Sequence, residues 1–153
     1  MKTAAEIMDS AVPSVSPDAE ARSAIELLAS TEKGAIPVVD EDRRVVGIVS
    51  ESDLVLSEEE SDLHLPHYLN IMGGIVFVGS MKGFEKRLDK AFATKVSELM
   101  TADPVTVKDY ASAETVARRI ADEHHNHLPV VDEEGRLAGM VTRADALAAL
   151  VEG

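Results

Sequence analysis

Two short stretches carry the side chains best suited to chemistry. Gly47-Ile48-Val49-Ser50-Glu51-Ser52-Asp53 and Gly139-Met140-Val141-Thr142-Arg143-Ala144-Asp145 each end an apolar run on a hydroxyl residue, with a carboxylate three positions on. A hydroxyl can donate to an anion, and a carboxylate has two oxygens that match the paired hydroxyls of a cis-diol. Where a strand ends at the hydroxyl and a helix begins, the first helical amides are unpaired and turn a partial positive charge toward that anion. A purely structural reading competes. Ser-x-x-Asp and Thr-x-x-Asp also suit a capping box, in which hydroxyl and acid satisfy the amides of the helix start.

The remaining candidates are weaker. His124-His125-Asn126-His127 brings histidines together, but consecutive histidines rarely converge on one ion and no acidic ligands stand at helical spacing around them. No metal site is expected there, and His127 alone is a functional candidate. His64 and His67 flank Pro66 and read as loop residues. Gly73-Gly74 lacks the Lys-Ser/Thr that completes a phosphate loop. Asp40 and Asp132 read as turn formers, and no Ser/His/Asp set has local support for nucleophilic catalysis.

The elements that must position these residues occur twice. AIPVVDEDRRVVGIVSESDLV at 35–55 and HLPVVDEEGRLAGMVTRADAL at 127–147 align without a gap at an offset of 92. The same offset sets Ile7-Met8 on Leu99-Met100, Val15 on Val107 and Ala29 on Ala121. Each copy reads as an extended piece at Val15 or Val107, then a helix over roughly Ala19–Ser30 or Ala111–His124. Ala21, Ile25 and Leu28, or Ala113, Val116 and Ile120, form its apolar stripe. Two β-branched runs come next around acidic turns, Asp40–Arg43 and Asp132–Gly135, which signals a hairpin. A helix from near Ser50 or Thr142 through Leu54 or Leu147 closes the copy. The order is β, α, β, β, α. The fold class is α/β (α+β), with repeat 1 at 1–56, a connector at 57–95 and repeat 2 at 96–153.

In the connector, Ser57–Asp62 is an acidic run expected as a solvated loop. Ile71–Val78 is a mostly apolar run expected to be strand-like, and Phe84, Leu88 and Phe92 sit at helical spacing. Those two pieces are expected to pack against the repeats or to extend a dimer contact.

Composition narrows the classes. The formal charge of −13, from 28 acidic and 15 basic residues, repels a phosphate backbone and argues against nucleic acid. A single nucleotide needs only two or three local donors and remains compatible. Cysteine is absent, which excludes disulfides, Cys-ligated zinc and thiol catalysis. Aromatics are 3% of the chain, so Val, Ile, Leu, Ala and Met must build the core. No signal core or membrane span is expected, and a cytoplasmic protein is.

The paired pattern of apolar-Pro-Val-Val-Asp, then apolar-x-Gly-apolar-Val-Ser/Thr-x-x-Asp, resembles the signature of the CBS domain, which occurs in tandem pairs. The resemblance covers both repeats, about 100 of the 153 residues, and not the connector. It implies two copies packed pseudo-symmetrically through their sheets, commonly joined as a homodimer, with clefts that bind AMP, ADP, ATP, S-adenosylmethionine or a related adenosyl ligand. It implies a phosphate at Ser50 or Thr142, a ribose at Asp53 or Asp145, and adenine walls from Ile36-Pro37 and Leu128-Pro129, with Val15 and Val107 lining the clefts. The copies differ where such a module often places a base. Glu51 in copy one corresponds to Arg143 in copy two, and Gly34-Ala35 to Asn126-His127. Arg143 and His127 point to the Thr142/Asp145 cleft as the tighter nucleotide site.

The resulting expectation is a non-catalytic sensor. An adenine nucleotide, alone or with Mg2+, is the ligand and no cofactor is required. Output runs through an effector protein whose identity the sequence leaves open. Two other readings stand beside it: a dimerisation scaffold with empty clefts, and a metal-dependent enzyme built on the histidines and the acidic surface.

Overall fold

The computed structural model describes residues 2–31, 33–56, 69–70, 92–123 and 125–152. The expectations for 57–62, for His64, His67 and Gly73-Gly74, for Ile71–Val78, Phe84 and Leu88, and for His124 lie outside these residues.

The helical stripes are buried as their spacing requires. Helix α1 (Ala4–Ile7) is a single turn, and α2 (Ala21–Ser30) buries Ala21, Ala24, Ile25 and Leu28. Strands β1 (Ala35–Val39) and β2 (Val45–Ser50) form the first hairpin, with every residue of β1 buried. Its turn is held by Asp40, whose Oδ1 accepts from the amides of Asp42 and Arg44 at 2.9 Å each. Asp132 does the same for Glu134 and Arg136 at 2.9 and 3.0 Å in the second hairpin, β7 (His127–Val131) and β8 (Leu137–Thr142). Those amides hold the Asp132 carboxyl below the ordinary carboxylate pKa. The turn-forming role of both aspartates arises from these local side-chain-to-backbone bonds.

Between the hairpins lie β3 (Val55–Leu56), β4 (Leu69–Asn70), α3 (Val96–Leu99), β5 (Thr101–Ala102), β6 (Val107–Lys108) and α4 (Ala113–Glu123). Helix α5 (Arg143–Glu152) comes last. The described residues form two three-stranded sheets, β1-β2-β5 and β6-β7-β8, and a short antiparallel pair, β3-β4. Val15 bridges Val38 in parallel, as Val107 pairs Val130 in the second sheet.

The two copies exchange their leading segments. Residues 3–9 pack on the second repeat: the Ala4 and Ala5 amides donate to the Ala111 and Asp109 carbonyls at 2.7 and 2.9 Å, and Asp9 bridges Met140. Residues 94–102 pack on the first: the Val96 and Ser97 amides donate to the Ala19 and Pro17 carbonyls at 2.8 and 3.0 Å, and Thr101 pairs Ile48. Ala4 accordingly lies in the core with Val107, Val116, Leu128 and Val141, while Val96 lies in the core with Ile25, Leu28, Ile36 and Val49. The sequence repeat is therefore not the packing unit. The hairpin tips are also joined, since the Val45 amide donates to the Gly135 carbonyl at 3.1 Å and the Leu137 amide to that of Arg43 at 2.9 Å.

One expected element is replaced. Among the described residues copy one does not close with an α-helix: Glu51–Leu54 is a single 3-10 turn that runs straight into β3. Copy two has the full ten-residue α5. The difference matches local propensity, because Ala144, Ala146, Ala148 and Ala149 favour a helix where Val55 is β-branched.

Candidate functional site

The strand-to-helix junctions are closed by their own side chains. In copy one, Asp53 Oδ2 accepts from the Ser50 amide at 2.8 Å and from the Ser50 hydroxyl at 3.1 Å. In copy two, Asp145 Oδ2 accepts from the Thr142 amide at 2.9 Å, and Thr142 Oγ1 accepts from the Asp145 amide at 3.2 Å. The next amides are paired as well: Glu51 donates to the Gly34 carbonyl at 3.1 Å and Arg143 to that of Asn126 at 3.0 Å. Of the helix-start amides that the sequence offers to an anion, those of Ser50 and Glu51 and those of Thr142, Arg143 and Asp145 already have partners. A box of hydroxyl, acid and neighbouring carbonyl already fills those donors.

A cavity of about 640 Å3 opens beside the first junction. Its walls come from three places in the sequence. Lys33, Gly34, Ile48, Ser50 and Glu51 belong to the first repeat. Thr101, Asp103, Pro104 and Val105 belong to the end of the exchanged segment and the turn leading to β6, and His125 to His127 to the entrance of β7. Ile48, Pro104 and Val105 supply apolar surface, while Lys33, Ser50, Glu51, Asp103 and the histidines supply polar groups. An apolar wall with a few convergent polar groups is the usual form of a small-molecule cleft.

His127 stands opposite Thr142 in the β7–β8 register, yet its side chain lines the cleft of Ser50. Its Nε2 lies 3.7 Å from the place a Cβ would take on Gly34, whose φ of +79° suits glycine. Burial lowers the His127 pKa, against smaller opposing contributions from a hydrogen bond to the Lys33 backbone and from the Glu51 carboxylate. Lys33 in turn reaches the other junction, with Nζ 3.9 Å from Asp145 Oδ2.

The expected site residues are thus distributed unevenly. Ser50 and His127 share the cleft, and Asp53 is held to Ser50 at its edge. Thr142 and Asp145 form the pseudo-symmetric junction. Arg143 is exposed and lines a separate shallow groove with Ala117, Ile120, Ala121, Ala146 and Leu147. Ile36, Pro37, Leu128, Pro129, Val15 and Val107 are all buried, and none of them lines this cleft. The apolar positions that do line it, Ile48, Pro104 and Val105, escaped sequence reasoning. The constant offset holds their signal only once the exchange is known, because it maps Thr101 on Ile48 to Asp9 on Met140.

Among the described residues no group of three or more His, Cys, Asp or Glu is arranged to hold a metal, and no helix is long and apolar enough to cross a membrane.

Duplicated βαββ units, tied at their hairpin tips and by exchanged lead-ins, define a paired-repeat module with a cleft between the copies. The family model for the CBS domain matches the chain twice, at 4–59 and 96–152, so the protein belongs to the CBS-domain family as a tandem pair. An uncharacterised Methanocaldococcus jannaschii protein, MJ1426, is 33% identical over 132 residues, 83% of this chain and 79% of that one. The chloroplastic CBS domain-containing protein CBSX2 of Arabidopsis thaliana is 29% identical over 139 residues, 90% of this chain; the match spans 58% of that relative's length. The crystal structure of CBSX2 in complex with AMP superposes with a TM-score of 0.70 at 27% identity, covering 99% of this chain and 98% of that one.

Proposed function

We propose that this protein is a non-catalytic regulatory module that binds an adenosine-type ligand, AMP, ADP or ATP, in clefts between its two CBS repeats. The observation that carries the reading is the 640 Å3 cleft, lined from both copies by apolar surface and by the Ser50 hydroxyl, Lys33 and His127. The whole-chain likeness to CBSX2, which was crystallised with AMP, supports an adenine nucleotide over other ligands of that size. In this reading Lys33 meets the phosphate, and the Ser50 hydroxyl turns to it from Asp53, whose Oδ2 stays on the Ser50 amide. Asp53 keeps Oδ2 on the junction and offers Oδ1 to a ribose hydroxyl, while Ile48, Pro104 and Val105 face the base. The Thr142/Asp145 junction forms the second, pseudo-symmetric cleft.

Occupancy shifts the packing between repeats, and the signal leaves through an effector protein. A homodimer through the helix faces fits Leu147, Leu150 and Val151 of α5, which are 51%, 39% and 89% exposed. S-adenosylmethionine is the alternative ligand, and a scaffold with empty clefts is the alternative function.

Thermal-shift measurement against AMP, ADP, ATP, S-adenosylmethionine and NAD, each with and without Mg2+, separates these readings. Ligand at a hundredfold excess over Kd stabilises by about 3 kcal/mol. The expected result is a clear shift with at least one adenine nucleotide. No shift with any of them favours the scaffold, and turnover of ATP or AMP overturns the non-catalytic reading.

A further inference from the structure

We propose that Lys33 is shared between the two clefts and makes them antagonistic toward phosphorylated ligands; this rests on the nucleotide reading above. Lys33 lines the Ser50 cleft, and its ammonium lies 3.9 Å from Asp145 Oδ2 at the other junction. That separation is longer than a hydrogen bond, and both side chains keep about a quarter of their surface in solvent, 26% and 28%. The ammonium is therefore loosely held on a flexible stem and can turn toward a closer anion.

The remaining charges around the cleft leave it that task. The amides of Ser50 and Glu51 are already paired, to Asp53 and Gly34. Glu51 and Asp103 line the same cavity and repel a phosphate. His125 and His127 are the other nitrogen bases on the wall. Among the described residues that line it, Lys33 is the one lysine or arginine.

These positions set the direction of the coupling. A phosphate in the Ser50 cleft draws Lys33 from Asp145. The Asp145 carboxylate, left without that cation, then repels a second phosphorylated ligand at its own junction. By reciprocity a ligand that keeps Lys33 at Asp145 weakens anion binding in the Ser50 cleft by the same factor. An uncharged nucleoside does not compete for the ammonium, and the two clefts then fill independently.

Calorimetric titration of the full chain with AMP and with adenosine tests this on wild type, Lys33→Met and Lys33→Arg. Expected in wild type are two AMP steps about tenfold apart beyond the statistical difference between equivalent sites. Lys33→Met weakens the first step about tenfold and merges the two, leaves adenosine within about twofold, and Lys33→Arg restores the split. A Lys33→Met protein that keeps the AMP split, or that loses adenosine binding equally, overturns the shared-lysine proposal and leaves the nucleotide reading standing. Wild-type protein that binds neither ligand overturns both.

Discussion

Met8 of the leading segment lies directly on Gly139 in the second repeat's β8, and Met100 lies on Gly47 in the first repeat's β2 in the same way. The glycine of each motif is therefore a landing place for the other copy's lead-in. A Cβ on Gly139 would stand 2.7 Å from the Met8 sulfur and 2.7 Å from the Asp9 carbonyl oxygen. Glycine in a strand interior commonly marks such an approach.

The two glycines should respond differently to alanine. At Gly47 the nearest atoms belong to the flexible Met100 side chain, with the Thr101 carbonyl at 3.1 Å, whereas at Gly139 backbone intrudes at 2.7 Å. Gly139→Ala is expected to cost about 2–3 kcal/mol and Gly47→Ala about 1 kcal/mol less, within the range for overpacking. Adding Met100→Ala should recover part of the Gly47→Ala loss, while Met8→Ala should recover little for Gly139→Ala. Urea unfolding of the four variants checks this. Equal losses at the two glycines would contradict the closer backbone contact at Gly139, and no loss at either would contradict the exchanged packing.

Val96 gives a second test of the exchange. It is fully buried among Val15, Ile25, Leu28, Ile36 and Val49, although the sequence places it at the head of the second repeat. Val96→Ala is expected to cost about 1–3 kcal/mol through the cavity it leaves. Amide exchange should then accelerate most in β1 and β2. Faster exchange confined to β7 and β8 would mean that each lead-in packs on its own repeat.

Sequence periodicity carried much of this fold. The stripe of Ala21, Ile25 and Leu28, its twin on α4, and the turns at Asp40 and Asp132 are local patterns, and local patterns survive translation into three dimensions. The exchange was not legible, because Ala4 and Val96 have the same apolar character whichever core receives them. Proline pairs hid a similar ambiguity: Ile36-Pro37 and Leu128-Pro129 are apolar enough for a ligand wall or for a core, and the cores took them. The site itself drew Lys33 and Pro104 from segments 71 positions apart in the chain. Nothing in their neighbours announces that meeting.

His127 predicts a pH dependence with a definite sign. Its folded-state pKa is lowered by burial, so below about 6.5 the unfolded chain takes up the proton first. Its contribution to stability is present in full above that pH. It is lost as pH falls toward the folded-state pKa, and no further below it. Denaturant unfolding at about pH 7.5 and about pH 5.5, on either side of the ordinary histidine pKa, should therefore show a larger acid loss in wild type than in His127→Gln. Identical losses would place the imidazole in open solvent.

Asp145 separates the roles of cap and ligand group. Its Oδ2 holds the Thr142 amide at 2.9 Å, so Asp145→Ala should destabilise the start of α5 by about 1 kcal/mol. Asp145→Asn keeps one acceptor oxygen for that amide and should stay within about 0.5 kcal/mol of wild type, as good caps interchange. The amide nitrogen that replaces the second oxygen donates where a ribose hydroxyl needs an acceptor. If Asp145 serves a nucleotide, Asp145→Asn should lose about tenfold in one of the two binding steps for adenosine, which has no phosphate for the carboxylate to repel, while its unfolding curve hardly moves. Unfolding and calorimetry on the same preparation read both effects at once. A variant that keeps its stability and both binding steps makes Asp145 a cap alone, and confines nucleotide recognition to the cleft of Ser50 and Lys33.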